Sequence, residues 1–167
     1  LVVGPHLSEG SNLGQSSGLI RRLKRMLPAA LYEVLEFLYS FVAVWRLTCA
    51  ALRFRPDAIY ERYNLHLHAG RFVARALGVK LLLEVNAPLT VERGEYGGLR
   101  LRRFAAWSDR RIWRGADWVL PVTDALADYV RAAGVSEERI VVIPNGVDLS
   151  VYPADTPRAA KPWSPAH

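Results

Sequence analysis

Cysteine is almost absent from this 167-residue chain, where Cys49 stands alone. A single thiol excludes an internal disulfide framework and a cysteine metal cluster, and its expected role is core filler. Also missing are the glycine signatures that cradle phosphates. Neither GxGxxG nor a Walker A sequence occurs, and GSNLGQSSG, within residues 8–18, reads as a flexible loop. The N-terminus has no basic region leading into an apolar stretch and a small-residue cleavage site, so export is not indicated. The expected location is cytoplasmic, at most peripheral on the inner face of a membrane. His66 and His68 are spaced i, i+2 and do not share a helix face. Polar surface or capping roles are therefore expected of them, not a shared metal, and no cofactor is expected.

With 51% hydrophobic and 23% charged residues, the composition is that of one globular domain with a sizeable core. The net charge of +6 and pI near 9.8 invite a nucleic-acid reading. The charge is clustered, however: Arg21, Arg22, Lys24 and Arg25 form one group, and Arg100, Arg102, Arg103, Arg110, Arg111 and Arg114 another. No zinc-finger, homeodomain or RNP signature accompanies them. Solvated helix faces come first among the readings, anionic lipid or a phosphorylated substrate next, and nucleic acid last.

The chain alternates strand and helix patterns. Residues 1–4 read as the end of a strand, so that the chain is expected to begin inside a fold. From Pro28 onward, Leu31, Val34, Leu35, Leu38, Val42, Trp45, Cys49 and Leu52 hold a helical period. Glu33, Glu36 and Arg46 interrupt that run, which reads as a buried or interfacial helix and not a transmembrane one. A strand begins at Ala58 and exits through Glu61, Arg62, Tyr63 and Asn64. Leu65, Ala69, Phe72, Val73, Ala76 and Leu77 give the next helix, ended by Gly78. VKLLLEV is a buried-strand pattern exiting through Asn86, and Glu84 within it is expected either to have a partner such as Arg62 or to lie on an edge or against a loop. Residues 90–98 read as a mobile loop and residues 99–114 as a helix with Leu101, Phe104, Ala105 and Ile112 inward. Trp107 and Trp113 beside its arginines suit a lipid headgroup region.

The stretch 116–148, ADWVLPVTDALADYVRAAGVSEERIVVIPNGVD, is a βαβ unit. Thr123 sits where a helix N-cap belongs, Leu126, Tyr129, Val130 and Ala133 recur at helical spacing, and Gly134 stops the helix. Residues 140–143 are a β-branched run of the kind buried on both faces of a parallel sheet, and Asn145 and Gly146 follow Pro144. Ligands bind beyond the carboxyl ends of such strands. That edge collects Glu61, Arg62, Asn64, Glu84, Asn86, Thr123, Asn145 and Gly146. The fold class is α/β, a doubly wound, Rossmann-like parallel sheet with strands near Leu1, Ala58, Leu81, Trp118 and Ile140. Residues 1–150 form the domain and 151–167 an irregular Pro-rich tail.

ADWVLPVTDAL and RIVVIPNGVD resemble motifs that close the N-terminal domain of retaining glycosyltransferases with two facing Rossmann-like domains, the GT-B architecture; RPDAIYERYNLHLHAGRFVARALGVKLLLEVNAPL extends the likeness. The resemblance implies the acceptor-side half of an enzyme that moves a sugar from a nucleotide-sugar donor to a glycan or lipid-linked acceptor. It also implies that this chain by itself is inactive, because the family's other domain grips the nucleotide sugar. Asn86 stands where many members carry a histidine near the donor sugar. Two other readings stay open: a non-catalytic binding module for a glycan, lipid or partner protein, and an unrelated Rossmann-like regulatory domain.

Overall fold

The computed structural model describes residue 3 and residues 28–95 and 99–146. The expected strand at residues 1–4, the loop at 8–18, the Arg21 to Arg25 cluster, Asp148 and the tail at 151–167 lie outside the described residues.

The order of elements is helix α1 (Ala29–Phe54), strand β1 (Ala58–Arg62), helix α2 (Ala69–Leu77), strand β2 (Lys80–Val85), helix α3 (Leu89–Glu95), helix α4 (Arg102–Trp113), strand β3 (Trp118–Pro121) and helix α5 (Asp124–Ala132). The strands form one parallel sheet in the order β1-β2-β3, with Arg62 opposite Glu84 and Glu84 opposite Leu120. This is a Rossmann-like α/β arrangement. Gly78, at φ 67°, closes α2 in the left-handed conformation that a residue without Cβ adopts freely.

One face of the sheet carries Ile59, Leu81, Leu83, Val85 and Val119, which are buried with Ala51, Val73, Ile112, Trp113, Leu126 and Val130 from the helices. The other face presents Tyr60 and Trp118 to solvent. Among the described residues the clustered core lies on the first of these faces, although Leu120, opposite Glu84 on the other, is buried as well.

Several expectations are corrected by packing. The apolar period of α1 is present, but Leu31, Val34, Leu35, Leu38, Val42, Trp45, Cys49 and Leu52 are exposed throughout. Cys49 is consequently not core filler. The inward face carries Glu33, Ser40 and Ala51, with Val44 and Leu47 half-buried. The reason is that this side meets polar backbone. Glu33 accepts the N–H groups of Arg100 and Leu101 at 2.5 and 3.0 Å, while Ser40 donates to the carbonyl of His66 and accepts the N–H of His68 at 3.2 Å. Despite its charges, the segment Ala30–Phe54 is by length and composition apolar enough to cross a membrane, with mean hydropathy 1.4.

Phe72 and Ala76, two of the apolar positions from which this helix is expected, are exposed, because α2 turns Ala69, Gly70, Val73 and Ala74 to the core. That helix begins at Ala69 and not at Leu65, His66 being held at φ 66°. Both His66 and His68 are buried, not at a polar surface. The expected loop at 90–98 contains α3, and Trp113 lies in the core, away from any headgroup. Residues 140–143 are not buried on both faces: Ile140 bridges Val119, Ile143 donates to the Pro121 carbonyl at 2.9 Å, and Val141 and Ile143 are exposed.

Candidate functional site

Parallel pairing places the ends of β1, β2 and β3 on one edge, and the ladder runs on past them: Tyr63 N–H donates to Glu84 O at 2.8 Å and Val122 N–H to Val85 O at 3.1 Å. The side chains at that edge are divided by the two-residue alternation of strands.

On the open face, Glu84 is the centre. Tyr60 Oη donates to its Oε2 at 2.5 Å, Asn86 Nδ2 donates to Oε1, and Arg62 Nε lies 3.5 Å from Oε1. The Tyr60 hydroxyl, then Asn86 and Arg62, hold the Glu84 carboxyl below its ordinary range, and the same Tyr60 bond pushes the phenol up. Glu84 is thus a poor proton acceptor; its role is to fix the groups around it. Arg62 is mostly exposed, which leaves guanidinium donors open to solvent. Asn86 Oδ1 is buried without a hydrogen-bond partner among the described residues. The arrangement can therefore offer an amide acceptor and a cation to a polyhydroxyl or anionic ligand.

Glu61 leaves this group. It points to the helical face, where the Gly70 N–H at the start of α2 approaches its Oε1 at 3.4 Å, and burial raises its carboxyl to about 7. A Cβ at Gly70 would overlap that carboxylate. Thr123 caps α5, its Oγ accepting Leu126 N–H at 3.2 Å, and Asn64 is exposed beyond β1. Asn145 and Gly146 are exposed beyond Ile143. Side-chain contacts thus join Arg62, Glu84 and Asn86, and do not join Glu61, Asn64, Thr123, Asn145 or Gly146 to them.

Tyr60 belongs to the cluster and was missed, although its place two residues before Arg62 on one strand is the signal for a shared face. A second polar group lies behind the helices. Tyr63 and Thr90 both donate to Asp109, whose carboxyl burial pushes up. His68 Nε2 is 3.1 Å from Ser108 Oγ, and His66 stacks on Phe104 with ring centroids 5.0 Å apart. Tyr63, His66, His68 and Ser108 are buried in the packing, while Thr90 and Asp109 also line an open cavity of about 310 Å³ beside Trp113 and Tyr129; no local sequence pattern announces either group.

A family profile described as "Glycosyl transferase 4-like domain" matches residues 2–146. No curated protein and no solved structure matches the chain. The match runs through every strand of the sheet and the whole Arg62, Glu84 and Asn86 edge, and the chain belongs to the glycosyl transferase 4-like domain family.

Proposed function

We propose that the chain is the acceptor-side half of a retaining GT-B glycosyltransferase that uses a nucleotide-sugar donor and a glycan or lipid-linked acceptor in the cytoplasm. In the complete enzyme its sheet is doubly wound. The observation that carries this reading is the pairing of an open guanidinium, Arg62, with an unpartnered buried amide oxygen, Asn86 Oδ1, around an immobilised Glu84. Hydroxyl groups of a sugar suit that set, because each hydroxyl both donates and accepts. Sugar transfer develops negative charge on the leaving diphosphate, which cations and helix N-termini stabilise. Arg62 and the start of α5 supply groups of that kind but no complete grip, so donor binding falls to other residues of the enzyme. Glu84, held ionised, does not serve as a general base.

Ligand-observed NMR with panels of glycans, lipid-linked sugars and sugar nucleotides tests the assignment. Saturation transfer to glycan acceptors that is lost in Asn86→Ala and Arg62→Ala supports it. Signals confined to the nucleotides, or unchanged by both substitutions, would count against an acceptor site at this edge. The second reading, a binding module without catalysis, shares this geometry and is separated from the first by turnover.

A further inference from the structure

We propose that the face shared by α1, α2 and α4 seats on an anionic membrane surface, the apolar stripe of α1 entering the headgroup boundary and the neighbouring arginine groove taking lipid phosphates. This does not rest on the sugar-transfer reading, since none of the residues involved belongs to the Arg62, Glu84 and Asn86 edge.

The stripe is a full-length feature. Leu31, Leu35, Leu38, Val42, Trp45 and Leu52 are all exposed along a helix of 26 residues, Trp45 at 71%. At 1.5 Å per residue that is a ridge about 39 Å long. An apolar ridge of this size marks an interaction surface.

Beside it, Arg71, Arg103, Arg110, Arg111 and Arg114 surround Trp107 in an open groove of about 860 Å³ whose lining contains no acidic residue. The one carboxylate on α4, Asp109, is turned inward and held by Tyr63 and Thr90. None of these five arginines forms an ion pair among the described residues. Arg71 is driven into the groove from below: a Cβ at Gly115 would overlap its stem, and its Nε is buried without a partner. Burial and the neighbouring Arg111 and Arg75 lower its pKa, so an arriving anion relieves a repulsion already present. Guanidinium forks match phosphate oxygens.

Ridge and groove are continuous. Exposed Phe41 contacts Phe37 at 6.2 Å, Phe37 contacts Phe104 at 5.3 Å, and Phe104 stacks on Trp107 at 5.7 Å between centroids. Arg111 lies 5.8 Å over Trp107, and Arg71 lies 4.6 Å over the exposed Phe72. Hydrocarbon and phosphate are thus demanded by one surface. A bilayer headgroup region offers both together, whereas a nucleic acid offers nothing to the aliphatic stripe. The helix lies along the surface instead of crossing it, because its inner side is bonded to the domain through Glu33, Ser40 and the 2.8 Å ion pair of Glu36 with Arg93. Crossing would drag α2 and α4 into hydrocarbon.

Cys49, the sole cysteine, is exposed on the stripe and carries an environment-sensitive fluorophore for the test. The full chain is mixed with vesicles of phosphatidylcholine alone or of phosphatidylcholine with phosphatidylglycerol, at low and high salt. Expected are a blue shift of the label and co-sedimentation with the anionic vesicles only, weakened by salt. Each arginine lost should weaken binding about fivefold, so Arg110→Gln with Arg111→Gln costs roughly 25-fold. Trp45→Ser should leave salt-sensitive attraction but abolish the blue shift; circular dichroism confirms that both variants remain folded. Equal binding to the two vesicle types, binding to neither, a blue shift caused by self-association without vesicles, or displacement of the protein from anionic vesicles by RNA at low concentration would each overturn the proposal.

Discussion

Glu33, on the long first helix, caps a helix that starts nearly seventy residues later: its carboxylate accepts the Leu101 N–H at 3.0 Å immediately before α4. Leu101 itself provides no side-chain cap. The first N–H groups of a helix have no intrahelical partner, so this tertiary carboxylate supplies what the local sequence does not. The same contact fixes α1 against the domain and so decides which of its faces is left outside.

Replacing that carboxylate should therefore be costly. Glu33→Leu removes the acceptor for the N–H groups of Arg100 and Leu101 and is expected to destabilise the fold by about 3 kcal/mol, while Glu33→Gln, which keeps one acceptor, costs less than half of that. Urea denaturation of the three proteins measures it. A leucine variant as stable as the parent would show that the bonds contribute nothing net.

Glu61 should make stability fall as pH rises. Burial raises its carboxyl from 4.5 to about 7, so the folded protein binds more protons than the unfolded chain between those values. The penalty is absent below pH 4.5 and complete above pH 7, at about 3 kcal/mol for a shift of this size. Glu61→Gln, which keeps an acceptor for Gly70 N–H, should be the more stable protein at pH 8 and lose that advantage at pH 4. A stability difference independent of pH would exclude Glu61 as its source.

His68 acts with the opposite sign. Burial, followed by Arg71, His66 and Arg111, lowers its pKa from 6.5 to about 4. The stability of keeping it neutral is whole above pH 6.5 and drains as the pH falls toward 4. His68→Gln should flatten the acid limb of the stability profile while also weakening the contact with Ser108. Identical acid limbs in parent and variant would rule this out.

The chain on its own is expected to show no sugar transfer, because among the described residues the edge holds a cation and an amide but no second set of groups for the diphosphate. The purified chain with sugar nucleotides and glycan or lipid acceptors provides the measurement. Turnover above a heat-inactivated control would mean that the chain completes a site by itself.

Much of the site was readable because strand ends are marked locally. The exits after Ala58 and after VKLLLEV, and the Thr123 cap, follow from periods of two and from turn residues, and the expected partnership of Glu84 with Arg62 is present at 3.5 Å. Tyr60 was overlooked although the alternation of β1 pairs it with Arg62. His68 with Ser108, and Tyr63 with Thr90 and Asp109, were not readable, since their partners are separated by 19 to 46 residues and meet only after the helices pack.

The sequence by itself determined the succession of α1, β1, α2, β2, α4, β3 and α5, the parallel α/β class and the periodicity of α1, but not α3 or the fate of residues 140–143, because the former depend on backbone sterics and on spacing along a few turns. Only the tertiary structure decided which side of each element is covered. The apolar stripe of α1 faces outward and Glu33 inward because burial depends on what the neighbouring helices present, here the unpaired N–H groups before α4. Glu61 left the edge group for the same reason: the chain passes it at the right place, but the pleat of β1 turns its carboxylate under α2.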